Sequence, residues 1–150
     1  MKNKVALFPG TFDPFTTGHY ALVRRALQIA DEIVIAIGTN SSKTNCFTLG
    51  ERMEAIRKIY AGEPRIRVMS YDTLTGDLAK EINADFILRG VRNIYDYEYE
   101  KNIADINRKI SNIETVIMFS EPEYEHTSSS LVRELMKYNK DVSNLIPATK

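Results

Sequence analysis

Val5-Ala6-Leu7-Phe8-Pro9-Gly10-Thr11-Phe12-Asp13-Pro14-Phe15-Thr16-Thr17-Gly18-His19 takes the chain from an apolar run, through a proline- and glycine-containing turn, to a T-x-G-H tetrad. Such a run, broken by turn residues, reads as a buried strand. The tetrad then falls at the start of a helix, where unpaired N–H groups and the positive end of the helix dipole favour an anion. Gly18 lets backbone approach that anion closely, and His19 can aim an imidazole at it. A strand, turn and helix N-terminus in this order handle phosphate, which points to nucleotide chemistry.

Working outward, apolar runs rich in Val and Ile recur at Lys4–Phe8, Glu32–Ile37, Ile66–Ser70, Asp85–Leu88 and Thr115–Phe119, and predict five buried strands. Helical patterns lie between and after them, at about Gly18–Ala30, Leu49–Tyr60, Thr75–Asn83, Ile94–Ile110 and Ser129–Tyr138. Thr48-x-x-Glu51 is a capping box that fixes the start of the second helix. In the fourth, Tyr95, Tyr99, Ile103, Ile106 and Ile110 form one apolar stripe, with Glu100 and Asn107 sharing a face beside it. Strands alternating with helices imply right-handed βαβ units. The expected fold is therefore a Rossmann-like α/β domain, a five-stranded parallel sheet covered by helices on both faces. Ligands of such sheets gather at the carboxyl ends of the strands. The loops of interest are thus Pro9–Thr17, Gly38–Thr48, Tyr71–Leu74, Arg89–Ile94 and Ser120–Ser128.

The chain of 150 residues suits one domain with a sizeable core. Twenty Lys and Arg balance twenty Asp and Glu, so no long-range field favours nucleic acid or an anionic membrane, and any anion site is local. The lone Cys46 excludes an internal disulfide and a cysteine zinc site, as expected of a cytoplasmic protein. No apolar stretch approaches the roughly 20 residues that span a bilayer, and no signal-peptide core is present.

Chemistry-bearing residues sit in the loops named above. Arg89-Gly90-Val91-Arg92 places two arginines around a glycine, and their planar forks suit phosphate oxygens. Lys43, in Asn40-Ser41-Ser42-Lys43-Thr44, is either an ordinary surface lysine or a mobile phosphate ligand. Thr127-Ser128-Ser129-Ser130 caps the last helix and offers a second hydroxyl-rich anion site. No Walker A loop, G-x-G-x-x-G, Ser/His/Asp set or H-E-x-x-H pattern competes for the chemistry.

These residues together resemble the nucleotidyltransferase superfamily and, within it, the bacterial phosphopantetheine adenylyltransferase family. The resemblance rests on Phe8–Pro14, Thr16–His19, Lys43, Phe47-Thr48-Leu49 with Glu51-Arg52, Arg89–Arg92, Asp96-Tyr97-Glu98-Tyr99-Glu100, Asn107-Arg108 and Ser128-Ser129-Ser130-Leu131-Val132, and spans nearly the whole chain. It implies transfer of AMP from ATP to 4′-phosphopantetheine, without a covalent intermediate, giving dephospho-coenzyme A and pyrophosphate. By this resemblance His19 holds the α-phosphate, with Lys43 and Arg92 as further catalytic residues. ATP would meet Thr11, Phe12, His19, Gly90, Val91, Arg92 and Glu100, and the run Tyr124, Glu125, His126, Thr127, Ser128, Ser129 and Ser130. Phosphopantetheine would meet Thr11, Lys43, Thr75 and Arg89. Mg²⁺ would accompany ATP, and the assembly would be a homohexamer. Thr75 stands where a larger apolar residue is commoner in the family, and Asn45-Cys46 where a proline-containing turn is usual. Two other readings stay open: a sibling transferase with another acceptor, such as nicotinamide mononucleotide or glycerol phosphate, and a nucleotide-binding regulatory domain without catalysis.

Overall fold

The computed structural model describes residues 2–39 and 44–149. β1 (Val5–Gly10), β2 (Glu32–Gly38), β3 (Ile66–Tyr71), β4 (Phe86–Val91) and β5 (Thr115–Phe119) alternate with α1 (Thr17–Ala26), α2 (Leu49–Ile59), α3 (Thr75–Glu81) and α4 (Ile94–Ser111), and α5 (Ser129–Lys137) follows β5. Short 3₁₀ turns occupy Pro122–Tyr124 and Ser143–Leu145. All strand pairs are parallel, in the order β3-β2-β1-β4-β5. The order reverses between β1 and β4, and a crevice opens at that switch point, at the carboxyl ends of the strands. The fold is Rossmann-like α/β, as the alternation of strand and helix patterns predicts.

Side-chain alternation along the strands divides the core into two layers. Ala6, Phe8, Ile33, Ile35, Ile37 and Leu88 pack with Leu22, Val23, Ala26 and Ile56 under α1 and α2. Leu7, Val34, Ala36 and Ile87 pack with Leu78 and Ala79 of α3 on the other face. Burial is deepest along β1 and β2, whose inner residues are all buried. β3 and β5, expected to be buried as well, are sheet edges and remain partly exposed along most of their length.

Two differences from the sequence reading affect the site. First, β4 continues through Arg89-Gly90-Val91 instead of giving way to a loop at Arg89. A Cβ at Gly90 would lie 3.0 Å from Leu22 Cδ2, so the glycine makes room for α1 rather than for a turn. Within the strand, alternation turns Arg89 to the α4 side of the sheet and Gly90 to the α1 side. Second, the α4 stripe exists but faces outward: Tyr95 is 79% and Ile110 62% exposed, and Tyr99, Ile103 and Ile106 are exposed too. What α4 buries is Glu100 and Ser111. Ser111 abuts α3, where a Cβ on Gly76 would come within 2.5 Å of Ser111 Cβ. Helix ends also differ by a few residues: α1 stops at Ala26, where i to i−3 bonds from Gln28 and Ile29 tighten the chain.

Candidate active site

The loop from β1 to α1 is held from several directions. The buried Asp13 accepts the Cys46 and Phe47 backbone N–H groups, one on each carboxylate oxygen, at 2.8 and 2.9 Å. Arg52, only 4% exposed, donates from NH1 to the Thr11 carbonyl and from Nε to that of Phe47, at 2.8 and 3.1 Å. Arg133 NH1 donates to the Asp13 carbonyl and Ser129 Oγ to that of Pro14, at 2.8 and 2.7 Å. These bonds hold Phe12 at φ +50°, a left-handed conformation that costs a bulky residue about 1–2 kcal/mol. Its ring packs edge-on against Phe8 and leaves no room for a Cβ at Gly10, which would lie 2.9 Å away.

α1 begins with a reciprocal cap. Thr16 Oγ1 accepts the His19 N–H, and His19 Nδ1 accepts the Thr16 N–H at 3.0 Å. Because Nδ1 accepts a backbone proton, the neutral ring carries its own proton on Nε2, the nitrogen left to donate to a ligand. Phe12 and Phe15 stand with ring centroids 5.1 and 5.2 Å from the imidazole, and Phe8 at 6.2 Å. Burial among these rings, and then the charges of Arg89 and Arg92, push the His19 pKa down from 6.5 to about 3. His19 is therefore a neutral hydrogen-bond donor at physiological pH.

The two arginines of β4 and its following loop are both paired. Arg89 donates from Nε and NH2 to the two oxygens of Glu100, at 2.8 and 2.6 Å, and from NH1 to the Pro9 carbonyl. Burial opposes its charge, but the bonds and charge of Glu100 outweigh burial and raise its pKa. Three of five guanidinium protons are thereby used, and one on each terminal nitrogen stays available to a phosphate. Arg92 bonds Asp96 one turn into α4 through Nε and NH2, at 3.0 and 3.4 Å.

Two cavities meet here. One, of about 250 Å³, runs between β1, β4 and α4 and is lined by Thr75, Tyr71, Ile103 and Asn107 among others. The second, of about 380 Å³, reaches from His19 and Gly18 to Arg92 and the start of α5. Thr11, Arg89, Tyr99 and Glu100 line both, so the Arg89–Glu100 pair forms part of their common wall. Of the residues proposed from sequence, Thr11, Phe12, His19, Arg89, Gly90, Arg92, Glu100 and Thr127 through Ser130 line the second cavity, and Thr75 the first. Val91 is buried in the core, and Tyr124, Glu125 and His126 line neither cavity. Lys43 lies outside the described residues. A Cβ at Gly18 would meet Thr16 Oγ1 and the Thr127 carbonyl oxygen at ordinary contact distances of 3.5 and 3.6 Å. The protein alone does not demand glycine there; its open side is the cavity.

Residues 7–135 match the cytidylyltransferase-like family model. Over 142 residues, 95% of each chain, the sequence is 56% identical to the phosphopantetheine adenylyltransferase of Bacteroides fragilis. It is 44% identical over 147 residues to that of Porphyromonas gingivalis, covering 98% of this chain and 96% of the other. The chain belongs to the phosphopantetheine adenylyltransferase family. The fold is also that of a bifunctional NMN adenylyltransferase/ADP ribose pyrophosphatase from Francisella tularensis, solved with AMP and a manganese ion. The TM-score is 0.72 at 14% identity, over 99% of this chain and 46% of that longer one.

In this member of the phosphopantetheine adenylyltransferase family, the residues that sequence reasoning left without a role are Asp13, Arg52 and Arg133, which hold the loop from β1 to α1, and Asp96, which pairs with Arg92. Each is a charged residue within or near a motif, and none is a surface solvator. The hydroxyls of the α5 start are likewise occupied within the protein. Ser128 caps Leu131 N–H, Ser129 ties down Pro14, and Ser130 accepts from Arg133.

Proposed function

We propose that the chain transfers AMP from ATP to 4′-phosphopantetheine, giving dephospho-coenzyme A and pyrophosphate. The observation that carries this reading is the meeting of two cavities at Thr11 and Arg89, beside His19. An acceptor phosphate entering from the first cavity faces the α-phosphate of a nucleotide held in the second. The acceptor is already an anionic nucleophile, so the site needs no activating base and supplies position and charge stabilisation instead. Arg89, clamped side-on by Glu100, presents its free edge to the acceptor phosphate. His19 donates from Nε2 to the α-phosphate as charge grows on its oxygens. Thr75 and Asn107 flank the pantetheine arm along the first cavity, and Arg92 and Ser128 to Ser130 face the nucleotide; Lys43 is a further ligand of the acceptor phosphate by its motif alone.

Magnesium enters with ATP as the substrate's ion. It would be held mainly by triphosphate oxygens and water. No helix among the described residues is long and apolar enough to cross a membrane. On the ground of its nucleotide substrate we place the enzyme in the cytoplasm. The outward apolar stripe of α4 supports assembly into a homohexamer.

The test is pyrophosphate release from MgATP with 4′-phosphopantetheine, compared with nicotinamide mononucleotide and glycerol phosphate, with the product weighed by mass spectrometry. Release with phosphopantetheine alone, and a product heavier by one AMP, is expected. Release with another acceptor would make the protein a sibling transferase, and ATP binding without release would make it a regulatory domain.

A further inference from the structure

Between α1, α2 and the loop that leads into β3 lies a third cavity, of about 280 Å³, which shares no lining residue with the two that meet at Arg89. Tyr20 and Tyr60 form its aromatic wall, their rings stacked with centroids 5.7 Å apart and planes 19° apart. Leu27 adds an aliphatic side, and Arg24, Gln28 and Arg65 bring polar groups to it. A space of this size, below that of most drug-sized sites, takes a ligand of one or two rings.

Two features of the lining specify that ligand. The Tyr60 hydroxyl is closed off from solvent and, among the described residues, has no hydrogen-bond partner. Burial pushes its ionisation well above the usual phenol range, so it stays a neutral O–H group. A buried hydroxyl left unpaired carries a desolvation cost that an incoming acceptor oxygen removes. The second feature is charge. Arg65 spends Nε and NH2 on the two oxygens of Glu63, at 3.2 and 3.3 Å, and Arg24 bonds Glu121 through NH2 alone, at 3.3 Å. Both keep N–H groups for a ligand, and the planar fork of a guanidinium suits a carboxylate. The Tyr60 ring also meets Phe15 edge-on, with centroids 5.9 Å apart, and Phe15 stands 5.2 Å from the His19 imidazole. An occupant of this cavity therefore touches a ring that supports the aromatic box around His19, without entering either of the other cavities. We propose that the third cavity binds a small aromatic carboxylate, its carboxylate on Arg24 and Arg65 and a ring-borne oxygen accepting from Tyr60, and that binding is transmitted to His19 through Phe15.

The probe is 4-hydroxybenzoate, titrated into the protein with and without saturating MgATP and followed by amide and imidazole NMR shifts. Saturable shifts are expected at Tyr20, Leu27, Gln28 and Tyr60, with a Kd of about 1 mM or tighter, the same within about twofold when MgATP is present, and with smaller shifts at Phe15 and His19. Arg65→Gln, and 4-hydroxybenzamide as the uncharged analogue on wild type, should each weaken binding at least about fivefold. Tyr60→Phe should weaken it as well while melting no lower than wild type, because the hydroxyl it removes has no partner. A lower melting temperature for this variant would show that the hydroxyl is already satisfied and overturn the recognition argued from it. Competition with MgATP, or shifts confined to the surroundings of Arg89 and Arg92, would place the probe in the nucleotide cavity and overturn the site. Equal binding by wild type and Arg65→Gln would overturn it too, and binding at Tyr60 that leaves Phe15 and His19 unmoved would overturn the link to His19.

Discussion

Lowering the pH from about 8 to 5 should destabilise this protein through His19 in particular. The imidazole has a folded-state pKa of about 3 against 6.5 when unfolded. The unfolded chain therefore takes up a proton below about pH 6.5 that the folded one refuses, and stability falls as pH drops through that window, the loss growing until about pH 3. At about pH 5 the difference amounts to about 2 kcal/mol, and it hardly depends on whether the folded value is 3 or 4. Carboxylates held low by their partners, such as Asp85 with the Val5 N–H and Asp105 with Lys101, lose their contribution only at lower pH. The assay is urea unfolding at both pH values, for wild type and for His19→Asn, whose amide oxygen can still accept the Thr16 N–H. Wild type should lose about 2 kcal/mol more than the variant over this interval. Parallel losses, or an imidazole nitrogen resonance of His19 that titrates near 6.5, would refute the description of a neutral ring boxed in by Phe8, Phe12 and Phe15.

His19→Ala should leave a folded protein whose turnover is reduced about 10²-fold or more, as for loss of one donor to the transition state; steady-state rates beside a circular dichroism melt check this. Glu100→Gln removes the charge that holds Arg89 and should raise the KM for phosphopantetheine about tenfold, with a smaller change in kcat. Initial rates at saturating ATP separate the two effects. Gly76→Ala would drive a methyl group into Ser111 and should destabilise by about 1–3 kcal/mol in chemical denaturation. Adding Ser111→Gly should recover a good part of the loss.

The central strands and their helices were legible because hydrophobic period and capping are local: Thr48 and Glu51 form the reciprocal cap that their spacing predicts. What sequence withheld was decided by contacts between distant elements. Gly90 looks like a turn residue until Leu22 of α1 is seen against it. The period of α4 is visible in its apolar residues, but nothing local says that the stripe faces away from the sheet while Glu100 turns inward to Arg89. The lining of the candidate site was legible at His19, Arg89 and the α5 serines, which meet at one cavity and whose motifs concentrate anion-binding groups. Asp13, Arg52 and Arg133 were less so, since their partners are backbone carbonyls and amides far along the chain.

The common wall of the two cavities bears on inhibition. Fragments that bind weakly on either side of Arg89 and Glu100 would be separated by one ion pair, within reach of a short tether past Thr11. Joining them would convert the second binding event into an intramolecular one, with effective concentrations of the order of millimolar for a short flexible link. Such a compound would compete with both substrates at once. Resistance through loss of Arg89 would remove the acceptor's own anchor along with the inhibitor's.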